Sequence, residues 1–85
     1  PNINEFLNFK EIIDQSKFSY KEIKNLYFFS SKRWDLELNN NVIIKLSKDF
    51  TKESLQLASE FLYTSKIKNI KIIDARIRNQ IILND

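Results

Sequence analysis

Residues 32–46 read KRWDLELNNNVIIKL: two alternating apolar and polar runs joined by three asparagines, in a chain of 85 residues that contains no glycine. Alternation makes the hairpin register testable, because a slip of one residue sends every apolar side chain to the other face. A two-residue loop at Asn39-Asn40 would set Ile43 and Lys45 on the Leu36 face. One at Asn40-Asn41 would set Val42, Ile44 and Leu46 beside Asp35 and Glu37. A three-residue loop, 39–41, pairs Leu38 with Val42, Leu36 with Ile44 and Trp34 with Leu46, so the apolar side chains share one face. Such loops commonly hold their last residue in the left-handed region, where glycine is preferred and asparagine comes next. Asn41 fills that position.

The flanks extend this reading. Asn4 is placed to cap a helix over 4–15, in which Phe6, Phe9, Ile12 and Ile13 recur at helical spacing. Ser19 and Glu22 have the spacing of a capping box, and Phe18 and Ile23 that of a hydrophobic staple, which predicts a helical turn at 19–22. The β-rich run that follows predicts a strand over 23–30. Phe50 and Thr51 are expected to open a second helix as staple and cap, with Leu55, Ala58, Phe61 and Leu62 along its inner face to about Thr64. NIKIIDARI, 69–77, sets Ile73, Ala75 and Ile77 on one strand face and Ile72, Asp74 and Arg76 on the other. Arg78-Asn79 then turn the chain into a final short strand, 80–83. The order is α-β-β-β-α-β-β: an α+β domain over 1–85 with two helices and an antiparallel sheet of about five strands.

Composition narrows function. A chain this short is one domain at most, of marginal stability, and its 42% hydrophobic content suffices for a core. No stretch is apolar enough to span a bilayer, so this piece is expected to be soluble. It opens Pro1-Asn2-Ile3 with no Met and no leader, which suits a segment excised from a longer product, any anchor lying outside it. Without Cys or His there is no disulfide framework, thiolate or imidazole ligand, or Ser-His-Asp triad, and without Gly there is no P-loop or dinucleotide turn. The expectation is a non-enzymatic chain with no cofactor and no metal. The net charge of +3 raises nucleic acid or an anionic membrane surface as partners. The lysines are scattered among acids, however, with one local patch at 66–71, and heavy use of Lys, Asn and Ile also fits AT-rich coding.

Individual residues have competing readings. Trp34 could stack on a base or anchor a partner, but its register assigns it to the core with Leu36 and Leu38. Asp35 and Glu37 read as neighbours on a solvated strand face rather than as catalytic carboxylates, and nothing supplies a nucleophile. Arg76 can balance Asp74 or Asp35 across the sheet, or meet a partner.

The ordered set of motifs resembles a known family. Lys32-Arg33-Trp34-Asp35-Leu36 before an Asn-rich hairpin, and Ile73-Asp74-Ala75-Arg76 near the end, are similar to the C-terminal part of the bacterial cell-division family FtsQ (DivIB in Gram-positive bacteria). The upstream Phe18-Ser19-Tyr20-Lys21-Glu22 is similar as well. Asn41 stands for the family's hairpin glycine, Ala75 for a leucine, and Arg78-Asn79-Gln80 for a Pro-Asp-Arg turn. The resemblance implies a membrane helix, a POTRA domain and earlier strands outside this segment, at the periplasmic face of the inner membrane. It also implies a scaffold that recruits FtsB-like and FtsL-like division proteins by strand addition at the terminal strand. The implied contacts are Arg76, Ile77, Arg78, Asn79 and Gln80, then Ile81, Ile82 and Leu83, with Lys32 or Arg33 as a second charged contact. The alternative is a small basic nucleic-acid-binding module using Tyr20, Tyr27, Phe28 and Phe29 for stacking.

Overall fold

A computed structural model describes residues 1–84. Helix α1 spans Ile3–Asp14, and its cap is Asn2 rather than Asn4. The Asn2 side chain accepts from the Glu5 N–H at 2.8 Å, and the Asn2 N–H donates to Glu5 Oε1 at 3.0 Å. That reciprocal box needs a carboxylate or amide three residues past the cap, which Glu5 gives Asn2 and Leu7 cannot give Asn4. Phe9 and Ile13 form the buried face of α1, with Phe9 stacked on Trp34 at 4.5 Å between ring centroids.

A 3-10 turn at Tyr20–Glu22 leads into β1, Ile23–Phe28. This strand stops two residues before the expected end. The Phe29 N–H donates to the Arg33 carbonyl and the Lys32 N–H to the Phe29 carbonyl, closing a turn in which Lys32 takes φ 70°. Strands β2, Trp34–Leu38, and β3, Ile43–Leu46, form the hairpin in the three-residue register, with Leu36 opposite Ile44. The Leu38 N–H donates to the Val42 carbonyl at 2.9 Å, and Asn41 sits at φ 70°. Trp34, Leu36, Leu38, Val42, Ile44 and Leu46 are all buried.

Helix α2 spans Thr51–Thr64 with Phe50 at the cap position. Thr51 is not the cap: it lies in the first turn, and its hydroxyl hydrogen-bonds back to the carbonyls of Ser47, 2.8 Å, and Lys48, 3.1 Å. Leu55 and Ala58 are buried, while Leu62 packs against the core edge. Strands β4, Ile72–Ala75, and β5, Ile82–Leu83, complete a sheet ordered β1-β2-β3-β4-β5. Its neighbours are antiparallel except β3 and β4, which run parallel. The expected α+β order of two helices and five strands holds, and the β3–β4 pair is the one departure from the expected antiparallel pairing. Helix α2 carries the chain back along the sheet, so the strand after it runs in the direction of the strand before it.

Both helices pack on the face that carries Trp34, Leu36, Ile44 and Ile73. The opposite face bears a cross-strand row of Tyr27, Asp35, Lys45, Asp74 and Ile82. Asp35, expected to be solvated there, is only 5% exposed, because Tyr27 and Lys45 flank it in register and Arg33 closes on it from just before β2.

Candidate partner-docking edge

β5 is the outermost strand on its side of the sheet, and its pairing decides which backbone groups it presents. Ile73 lies opposite Leu83 and Asp74 opposite Ile82, and the Asn84 N–H donates to the Ile72 carbonyl at 2.8 Å. In an antiparallel ladder, hydrogen-bonded pairs alternate with pairs whose amides point away. The bonded pairs are therefore Ile72 with Asn84 and Asp74 with Ile82. The main-chain groups of Leu83 are directed to the open side, and the same alternation turns those of Ile81 outward.

Asn84, which the sequence reading did not single out, fixes this arrangement. Its Oδ1 accepts from the N–H groups of Lys71 at 2.7 Å and Ile72 at 3.2 Å, and its Nδ2 donates to the Asn69 carbonyl at 3.3 Å. Backbone φ of 58° at Asn84 ends the strand. In a glycine-free chain an asparagine at the end of an apolar run was the available signal.

The predicted contact residues separate into groups. Arg76 is drawn back onto Asp74: its Nε lies 2.9 Å from Oδ1 and its Nη2 2.6 Å from Oδ2. The Arg76 N–H also donates to Asp74 Oδ1 at 3.0 Å, and this side-chain turn ends β4 at Ala75 instead of at 77. Ile77, expected on the core face, consequently lies outside the strand and is 53% exposed. Arg78 rests over the Phe50 ring at 4.3 Å, and Asn79 takes φ 62° in the turn closed by Gln80 N–H on the Ile77 carbonyl. Gln80 and Ile81 precede β5, which is two residues long rather than four. Ile81 and Leu83 pack against the core, leaving Ile82 as the β5 side chain on the open face.

Arg33 belongs with Arg76. It pairs with Asp35 at 3.4 Å, and both guanidinium groups bear electrostatically on the Asp35 carboxylate, Arg33 from just before β2 and Arg76 from just after β4. Lys32 does not join them; it pairs with Glu5 on α1 at 3.3 Å. The two buried carboxylates respond in opposite senses. Burial pushes the Asp35 carboxyl up, with Arg33 pulling against it, and Asp35 Oδ1 is buried without a hydrogen-bond partner among the described residues. The Arg76 guanidinium holds Asp74 below the usual carboxylate range.

Chemically, this arrangement can pair an added strand along β5 and set cationic groups beside it. Trp34, by contrast, is in the core, stacked on Phe9 and tilted against Phe28 at 4.6 Å. Among the described residues no three His, Cys, Asp or Glu side chains gather as a metal-binding group, and no helix is long and apolar enough to cross a membrane. No protein-family model, curated protein or solved structure matches this chain.

Proposed function

We propose that the chain is a non-enzymatic docking module of the FtsQ type, which recruits FtsB-like and FtsL-like division proteins by adding a partner strand to β5. The observation that carries this reading is the outward direction of the Leu83 main chain on the outermost strand. The order of the Lys32–Leu36 and Ile73–Arg76 motifs supports the family, and the family supplies the partner and the location at the periplasmic face of the inner membrane. Arg76 and Arg33 serve as the charged contacts, each exchanging part of its hold on Asp74 or Asp35 for an acidic partner residue. Lys32 is engaged with α1 and is left out of the contact.

The experiment is a calorimetric titration of the periplasmic segment of the FtsB-like protein from the same genome into the folded chain. Saturable binding that is lost on Arg76→Glu, read on the folded fraction that circular dichroism reports, is the expected result. Equal binding by the folded variant would remove Arg76 from the interface, and no binding by wild type would overturn the reading.

A further inference from the structure

Lysines far apart in sequence meet at one end of the sheet. The β2–β3 loop and the starts of β1 and β4 lie together there, because Ile23 is opposite Leu38 and Ile43 opposite Ile72. The Asn39 side chain donates to the Lys21 carbonyl, Lys24 Nζ lies 3.1 Å from Asn41 Oδ1, and the Ile43 N–H donates to the Lys71 carbonyl at 2.9 Å. Helix α2 ends at the same place. The Tyr63 hydroxyl lies 3.4 Å from the Lys17 carbonyl and hydrogen-bonds Glu22, so Lys17 joins the group together with Lys66 and Lys68 on the segment leaving the helix.

All of these lysines are exposed, and none forms an ion pair among the described residues. Two carboxylates lie among them, Glu22 and Glu37, each held by neutral donors, Tyr63 for the first and Asn25 and Tyr27 for the second, while Asp14 is paired with Lys10. The arginines lie at the other end of the sheet, Arg33 before β2, Arg76 after β4 and Arg78 over Phe50. The fold thus gathers more ammonium groups than carboxylates at one pole, with Lys17, Lys21, Lys24, Lys66, Lys68 and Lys71 against Glu22 and Glu37.

We propose that this lysine pole binds the anionic phospholipid headgroups of a bilayer surface. Ile67 is 57% exposed between Lys66 and Lys68, an apolar side chain set among cations, which suits the boundary between headgroups and acyl chains. A nucleic-acid surface that reads or stacks bases would add arginine forks or open ring faces to its phosphate contacts. This pole has no arginine, and its tyrosines are engaged: Tyr63 against the Phe18 ring at 5.8 Å, Tyr20 beneath the Lys10 ammonium at 5.6 Å. The proposal does not depend on strand addition at β5.

The test is vesicle co-sedimentation of the 85-residue chain, with circular dichroism of every variant. Binding is expected to vesicles rich in phosphatidylglycerol, to be absent with phosphatidylcholine alone, and to fall with salt. Lys66→Gln with Lys68→Gln should weaken it about fivefold for each lysine neutralised. Ile67→Ser should weaken it with the salt dependence unchanged. Lys48→Gln with Lys52→Gln, at the start of α2, should leave it unaltered. Equal binding to neutral vesicles, an unaffected Lys66/Lys68 variant, or tighter binding to duplex DNA or RNA than to anionic vesicles at physiological salt would each overturn the proposal.

Discussion

Arg76 grips the carboxylate of Asp74 from two residues along the same chain, with Nη2 2.6 Å from Oδ2 and both the backbone N–H and Nε on Oδ1. The Asp74 side chain is 7% exposed, so the pair fills most of the hydrogen-bonding capacity of a carboxylate that water barely reaches. Removing the guanidinium leaves that carboxylate short of partners. Arg76→Gln should therefore lower stability by about 1 to 3 kcal/mol, and Arg76→Glu by more, since it places a like charge beside Asp74. Urea melts decide this; a neutral Arg76→Gln would mean that Lys45 and solvent already satisfy Asp74. Binding by either variant must be read on the folded fraction.

Asn41 gives the simplest test of the hairpin. Its φ of 70° suits glycine and asparagine, and its side-chain oxygen accepts from the exposed Lys24 ammonium. Asn41→Gly is expected to be neutral or slightly stabilising, and Asn41→Val to cost about 1 kcal/mol or more. Thermal melts of both variants check it, and a valine tolerated as well as glycine would contradict the left-handed loop position.

The hairpin was legible in the sequence because alternation admits one register in which six apolar side chains share a face, and all six are buried. Trp34 followed from that register. The parallel β3–β4 pair was not legible from strand patterns, which are the same for either direction; only the intervening helix carried the information. Strand β4 was read too long because alternation continues through Arg76 and Ile77, whereas the Asp74 side chain captures the next amide but one and ends the strand. The lysine pole was illegible because residues 17 to 71 come together only through the sheet topology. At the edge, the terminal strand was anticipated, but the direction of its amides and the clamp at Asn84 depend on a register that sequence alone left open.

The two buried carboxylates predict opposing pH dependences. Asp74 has its folded-state pKa depressed from the ordinary 3.8, so its contribution is present above that value and is lost as pH falls through the folded value. Asp35 has its folded-state pKa raised, so folding is unhampered below 3.8 and less favourable once pH has risen through the folded value. Asp74→Asn should lower stability at pH 7 and flatten the acid limb of a stability profile. Asp35→Asn should leave pH 7 stability equal to or above wild type. Urea midpoints measured from pH 3 to pH 7 separate the two, and a destabilised Asp35→Asn protein would show that the Arg33 pair outweighs the burial of the charge.

The β5 edge predicts that neighbouring prolines act differently. Ile82 lies in a hydrogen-bonded pair with Asp74, so its N–H belongs to the sheet; Leu83 lies in the non-bonded pair with Ile73, so its N–H points to the open side. Proline removes the donor and keeps an extended backbone. Ile82→Pro should break the β4–β5 ladder and lower the melting temperature. Leu83→Pro should retain most of the fold, losing only some packing of a partly buried side chain, while removing a donor that serves an added strand. Since a lost hydrogen bond in a partner ladder costs roughly 0.5 to 1.5 kcal/mol, and the rigid ring also obstructs the approach of a strand, binding should fall about tenfold. The measurement is titration of the FtsB-like segment into wild type, Leu83→Ala and Leu83→Pro, with melts of all three. The alanine variant reports the lost side chain, and the difference between alanine and proline reports the backbone. If folded Leu83→Pro binds as tightly as Leu83→Ala, the outward amide of Leu83 is not a docking donor, and strand addition at β5 loses the observation that carries it.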